Sequence, residues 1–243
     1  MLIAQITDIH ASRENDNLAR LGRAISWLTN IRPDVVVVTG DLVEGDWPQG
    51  YRLIATALQR LECRSLILPG NSDQRAIMRE AMPEVDYWVN DPKMHFVVCH
   101  GETLIIGLDV CVDGEAHGDI AGSLQWLRET LASDQPGMPL LFTHHHVFRS
   151  GIAPIDDVMC RDADALGHLL SGSARPPIAI CSGHVHCSMS SMIAKIPAHI
   201  CGSICPANPL LLDPTREPPA TDPPALMIHD LRNGQLVSSH ISV

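Results

Sequence analysis

With 243 residues, 45% of them hydrophobic and 19% charged, the chain has the composition of a folded protein that can bury a core, which excludes a disordered chain. A formal net charge of −11 argues against general binding to nucleic-acid backbones or anionic membranes, and 4% aromatics leave little for base stacking. A small phosphate substrate stays compatible with this charge, because bound divalent cations reverse the local field. Met1 leads directly into Leu2-Ile3-Ala4-Gln5-Ile6, with no basic or long apolar leader and no membrane-length run. With eight scattered cysteines, the expectation is reduced thiols in the cytoplasm.

The opening strand ends in Thr7-Asp8-Ile9-His10, and Leu18, Leu21, Ile25 and Leu28 then recur at helical spacing. Arg32-Pro33-Asp34 breaks that helix and launches Val35-Val36-Val37-Val38, a strand expected to be buried on both faces, which stops at Gly40-Asp41. A second helix starts near Pro48, a residue suited to a first helical turn, with Leu53, Ala57, Leu58 and Leu61 assigned to its apolar face. The strand Ser65–Leu68 ends in Pro69-Gly70-Asn71-Ser72-Asp73, where another helix begins. Three strands handing over to helices through polar clusters make a βαβαβ run, with its functional groups at one sheet edge.

Further on, Met94–Cys99 and Thr103–Asp109 read as paired strands around Gly101. A loop with His117 and Gly118 leads to a helix from about Gly122 to Ser133. The strand Met138–Thr143 runs into His144-His145-His146. A helix near Asp162–Leu170 and a strand Ile178–Cys181 precede Gly183-His184-Val185-His186. Strands are expected at Met189–Ile193, His199–Ile204, Ala225–Leu231 and Gln235–Ile241, the last two joined at Asn233-Gly234. Residues 206–224 hold seven of the 18 prolines and read as a semi-rigid loop, either a flap over the site or a dimer contact. The expected fold class is α/β: one domain over residues 1–243, a four-layer α/β/β/α sandwich of two mixed sheets flanked by helices.

Taken together, five strand ends carry Asp8 and His10, Asp41, Asn71, His144, and His184 with His186. These oxygen and imidazole donors suit Mn, Fe, Zn, Co or Mg. Residues two apart in extended chain point the same way, so Asp8 with His10, and His184 with His186, can each reach one point. Singly, each has a plainer reading: an ordinary core or surface histidine, or for Asn71 a turn residue. Five strand ends in this order give the joint pattern its weight. Cys201 with Cys205, and Cys181 with Cys187, lack zinc-knuckle spacing.

In these motifs the chain resembles the calcineurin-like, or binuclear, metallophosphoesterases, over residues 1 to about 190. Within them it looks most like the bacterial class III cyclic-nucleotide phosphodiesterases and binuclear glycerophosphodiesterases. The resemblance implies two divalent ions (Mn, Fe, Zn or Co). One would be held by Asp8, His10, Asp41 and His186, the other by Asp41, Asn71, His144 and His184, with Asp41 bridging and His145 the alternate to His144. It also implies hydrolysis of small phosphodiesters by a hydroxide shared between the ions. Where the family usually reads Gly-Asn-His followed by an acid, this chain reads Gly70-Asn71-Ser72-Asp73. A serine hydroxyl cannot act as an imidazolium acid. Three readings are open: His145 or His146 supplies the acid, which is preferred; the substrate has a leaving group that needs none; or ordinary diesters turn over slowly. Ser72 and Asp73 complete the candidate catalytic set, and a positioning role is the plainer reading of the spare histidines.

A phosphomonoesterase or nuclease on the same core is the alternative. Few cations lie near the motifs (Arg13, Arg75, Arg149 and Arg161), and their plainer reading is as surface residues. A non-catalytic scaffold is the third reading, opposed by the full ligand set. The expected partner is a small phosphodiester, with no nucleic-acid polymer and no membrane, and homo-oligomerisation is left open.

Overall fold

The computed structural model describes residues 1–89, 92–211, 213, 215–216, 222–232 and 234–243. Its elements run β1 (Leu2–Ile6), α1 (Asn17–Ile31), β2 (Val35–Thr39), α2 (Pro48–Leu58), β3 (Arg64–Leu68), α3 (Arg75–Ala81), β4 (Phe96–His100) and β5 (Thr103–Gly107). Then come β6 (Gly118–Asp119), α4 (Leu124–Ala132), β7 (Met138–Phe142), α5 (Ala153–Asp156), β8 (Cys160–Arg161) and α6 (Ala163–Ser171). The chain finishes with β9 (Ile180–Ser182), β10 (Met189–Ile193), β11 (Ile196–Ile200), β12 (Ala225–Asp230) and β13 (Val237–Ser242).

Two mixed sheets carry the fold. The first has the order β13-β12-β1-β2-β3, with β1, β2 and β3 parallel as the βαβαβ pattern requires. The second has the order β10-β11-β9-β7-β5-β4, parallel from β11 to β5 and edged by antiparallel strands. Alternation along the second sheet explains the layering. Ile105, Leu140, Phe142 and Cys181 share a core with the first sheet and α1 to α3. Leu104, Ile106, Leu141 and Ile180 face the other way, onto Leu127 and Leu131 of α4 and Leu166 and Leu170 of α6. The result is the α/β/β/α sandwich. Val35 to Val38 lie in its middle with 0% exposure, and each such side chain contributes about 1.5–3 kcal/mol of burial.

Two expectations need correction. On α2 the buried face is Tyr51, Ile54 and Leu58, continued by Leu61, whereas Leu53 is 38% exposed and Ala57 half-buried. Positions 51, 54, 58 and 61 form a stripe with the helical period, and anchoring on leucines instead of Tyr51 rotated that stripe. The strand expected at His199–Ile204 lies at Ile196–Ile200. Its hairpin with β10 closes through Ala194 and Lys195, both at positive φ (50° and 68°). That left-handed pair is normally signalled by Asn-Gly, so Ala-Lys gave no turn signal.

The described part of the proline-rich loop has neither helix nor strand. Asn208 ties it to the site edge, donating from its amide and backbone nitrogens to the carbonyls of Val185 and His186. Residues 212, 214 and 217–221 of that loop, and Asn233 of the last hairpin, lie outside the described residues. None of the eight cysteines is in a disulfide. Among the described residues no helix is long and apolar enough to cross a membrane.

Candidate metal centre

The strand ends of both sheets meet at one seam. β1, β2 and β3 deliver Asp8 with His10, Asp41 and Asn71, while β7 and β9 deliver His144 and His184 with His186. Hydrogen bonds stitch the sheets there. His184 N donates to Asp8 Oδ2 (2.9 Å), Gln5 Nε2 to the Ser182 carbonyl (3.1 Å), and His144 Nδ1 to the Thr39 carbonyl (2.8 Å).

That last bond decides the chemistry of His144. With Nδ1 carrying the proton, the lone pair of Nε2 faces Asn71 Oδ1 at 3.1 Å, His184 Nδ1 at 3.2 Å and Asp41 Oδ2 at 3.5 Å. The same Asp41 oxygen lies 3.1 Å from His10 Nε2, which is 3.1 Å from His186 Nε2. Asp8 Oδ1, 3.3 Å from His186 Nε2, and His184 Nε2 are inaccessible atoms without a hydrogen-bond partner. Acceptors that converge in this way repel one another unless a cation or protons stand between them. The groups Asp8–Asp41–His144, His144–His145–His184 and His10–His186–Cys205 each bring their donor atoms within 4.8 Å of one another, so the residues present fit divalent ions.

The electrostatics agree. Burial pushes the His10 ring down, but its hydrogen bond to Asp41 and the charges of Asp41 and Asp8 outweigh this and raise it to about 10. Burial likewise opposes His144, and Asp41 raises it to about 9. Burial raises the Asp41 carboxyl, yet the charges of His144 and His10 hold it well below the usual carboxylate range. Without ions, the two aspartates recruit protons onto the rings around them.

Backbone geometry singles out the same residues. Among the described residues, nine non-glycine positions have positive φ, and Asp8, His10, Asp41, His184 and His186 are five of them. Each left-handed residue costs about 1–2 kcal/mol, and strain of this kind gathers where function holds it in place. Glycines make the close approach possible. A Cβ on Gly183 would stand 2.0 Å from Thr7 Oγ1 and 2.7 Å from Asp8 Oδ2.

The expected catalytic set is placed differently. Asp73 is used up as a bracket: its oxygens accept from the Leu42, Val43 and Gly70 amides and from the Tyr51 hydroxyl, fixing the Asp41 loop against the Asn71 loop. Burial, reinforced by the charge of Asp41, raises its carboxyl to about 6. Ser72 N donates to Asp41 Oδ1 (2.8 Å), and its buried Oγ has no partner. His145 is fully buried, with Nε2 3.0 Å from the Ala116 carbonyl, and burial and then the charge of His144 push it well below its ordinary range. His146, also buried, stacks on His184 (5.5 Å between centroids, 21°) with Nε2 3.7 Å from Asp156 Oδ1, and burial pushes it down to about 4. Of the arginines considered, Arg75 is a bidentate partner of buried Asp109.

Two neighbours carry no usable sequence signal. Glu44 Oε1 accepts from His10 Nδ1, turning Nε2 inward. Cys205 Sγ lies 3.3 Å from His186 Nδ1, while Cys201, the other member of a pair that lacks zinc-knuckle spacing, faces the Gln5 carbonyl. Glu44 is simply an acid in a polar loop, and Cys205 is brought in from 19 residues beyond His186 by tertiary structure. Glu44→Ala is expected to weaken ion affinity about 10–100-fold, as loss of such an orienting carboxylate does, measured by competition with a chelating dye. Unchanged affinity would remove Glu44 from this role.

The sequence profile of the calcineurin-like phosphoesterases matches residues 1–188, and the chain belongs to that family. It is accordingly a phosphoester hydrolase. A probable glycerophosphodiester phosphodiesterase of Arcobacter nitrofigilis is 26% identical over all of this chain and 93% of its own length. A cAMP/cGMP dual specificity phosphodiesterase of Mycobacterium tuberculosis is 34% identical over 76% of this chain and 59% of its own length. Among solved structures, a dimetal phosphatase from Danio rerio shares the fold across all of this chain and 96% of that one, with a TM-score of 0.75 at 14% identity.

Proposed function

We propose that the chain hydrolyses small phosphodiesters at a centre of two divalent ions, one held by Asp8, His10, Asp41 and His186 and the other by Asp41, Asn71, His144 and His184. The observation that carries this reading is the convergence of donor atoms from both sheets, with His10 Nε2 and His144 Nε2 on Asp41 Oδ2, and Asn71 Oδ1 and His184 Nδ1 on His144 Nε2. Bound there, such ions supply an activated water and neutralise phosphate oxygens. The protein's share is geometric. The Thr39 carbonyl and Glu44 fix the tautomers of His144 and His10, Asp73 holds the Asp41 and Asn71 loops in register, and His146 buttresses the ring of His184. Buried and neutral, His145 and His146 suit positioning better than proton donation. Names borne by relatives, for cyclic-nucleotide and glycerophosphodiester phosphodiesterases, support a singly charged diester as substrate.

The test is elemental analysis of the purified protein, followed by turnover of diesters and monoesters with added Mn²⁺, Fe²⁺, Zn²⁺ or Co²⁺. About two ions per chain with diester turnover is the expected result. An ion-free chain inert with every metal would overturn the proposal.

A pH dependence follows. Ordinary imidazoles titrate near 6.5, while His10 and His144 are raised to about 10 and about 9 in the ion-free fold. Raised values mean that protonation stabilises the folded state. That stability is fully present below 6.5 and is lost as the pH climbs through about 9 to 10. An ion must displace these protons, so uptake at pH 7 releases protons and affinity climbs toward pH 9. Calorimetry in buffers of different ionisation enthalpy reads the released protons, and uptake without release would contradict the assignment.

A further inference from the structure

Beside the centre, between the start of α3 and the loop after β5, lies a cleft of about 620 Å³ whose lining begins at Asn71 and Ser72. Asn71 connects the two spaces, since its Oδ1 also faces His144 Nε2 at 3.1 Å. We propose that this cleft is a subsite for a neutral, nucleoside-sized substituent of the phosphodiester, with Ala76 and Val112 as specificity-determining residues. The inference rests on the diester reading above and adds which substituent the site selects.

Three observations favour such an occupant over a second phosphate or a small polyol. The cations around the cleft are already engaged. Arg75 is bonded to both oxygens of Asp109 and to the Cys111 carbonyl and paired with Asp113, Arg79 donates to the Val89 and Lys93 carbonyls, and Lys93 Nζ donates to the Cys111 carbonyl. A second phosphate would have to break these bonds to find a charge partner. The size lies within the 300–1,000 Å³ or so of pockets that enclose drug-sized molecules, and a three-carbon alcohol would leave most of it to water. The lining is mixed: Ala76, Pro92, Val112 and Gly114 offer van der Waals contact to a flat ring, and Gln74 and Asp113 offer hydrogen-bond partners for its polar edge. At the neck stands Ser72, whose Oγ is turned inward and buried without a partner, so the residue presents little polar surface there. Its side chain is also small enough to keep the passage open.

Titration calorimetry on the metal-loaded protein, comparing adenosine 5′-methyl phosphate with dimethyl phosphate, tests the subsite, each sample being analysed for hydrolysis afterwards. The wild type is expected to bind the adenosine ester at least about tenfold more tightly. In Val112→Trp, and independently in Ala76→Trp on the exposed first turn of α3, the ratio should fall toward one with metal content and melting temperature retained. A wild type without preference, or a preference surviving both substitutions, overturns the subsite. Hydrolysis without preference refutes the subsite alone, and preference without hydrolysis refutes the hydrolytic reading alone.

Discussion

Asp41→Asn is expected to empty both halves of the centre together. Asp41 Oδ2 faces both His10, 3.1 Å away, and His144, 3.5 Å away. An amide there offers a neutral oxygen or a clashing N–H, so bound metal should fall from about two ions to less than one. Turnover should drop by about 10³-fold, the upper range for losing a single charge-stabilising group. Asn71→Ala, by contrast, should lose one ion and keep the other, because Asn71 faces only the His144 side. The ion-free variant offers a second readout: without the Asp41 charge, burial should bring the His10 and His144 rings down from about 10 and about 9, visible by NMR titration. Asp41→Asn retaining one tightly held ion would show that the carboxylate does not bridge.

Gly70→Ala is expected to do comparable damage without removing a single donor. A Cβ at Gly70 would lie 2.2 Å from Asp41 Oδ1 and 2.3 Å from the Asp41 amide nitrogen. Across the gap, Gly40 has φ +93°, and its own Cβ would lie 2.5 Å from Gly70 N, so the backbones of the β2 and β3 ends leave no slack. The loops must part, carrying Asp41 away from Asn71. Overpacking of this kind costs about 1–3 kcal/mol, and a melting temperature moves about 2–4 °C per kcal/mol at this size. A displacement of about 1 Å among reacting groups costs about 10² in rate. Full activity with an unshifted melting curve would show that the contact relaxes freely.

The parallel β1-β2-β3 core was legible because buried strands write themselves as apolar runs, Val35 to Val38 above all. The seven candidate donors, which the fold brings to one seam, could be picked out because each sits just past such a run. What the sequence did not disclose is the geometry that depends on tertiary contact. The left-handed backbone at Asp8, His10 and Asp41 has only a weak residue signature, since aspartate and histidine tolerate positive φ better than most side chains but far less readily than glycine. Asp73 looked catalytic from its place beside Asn71, yet the structure spends its carboxylate on the Leu42 and Gly70 amides. Glu44 and Cys205 join the site through folding alone, and the cleft beside Ser72 belongs to a loop with no spacing rule.

The centre lies across the seam between the sheets, and this bears on how the molecule comes apart. Asp8, His10, Asp41 and Asn71 belong to one sheet and His144, His184 and His186 to the other, so any ion bound among them is a rivet through both. Each sheet has its own covering helices and can loosen locally if that rivet is drawn. Hydrogen exchange should therefore show the sheets protected as one cooperative unit in the ion-loaded protein. After chelation they should separate into two units of unequal protection, which would make the proposed ions part of the architecture as well as of the chemistry.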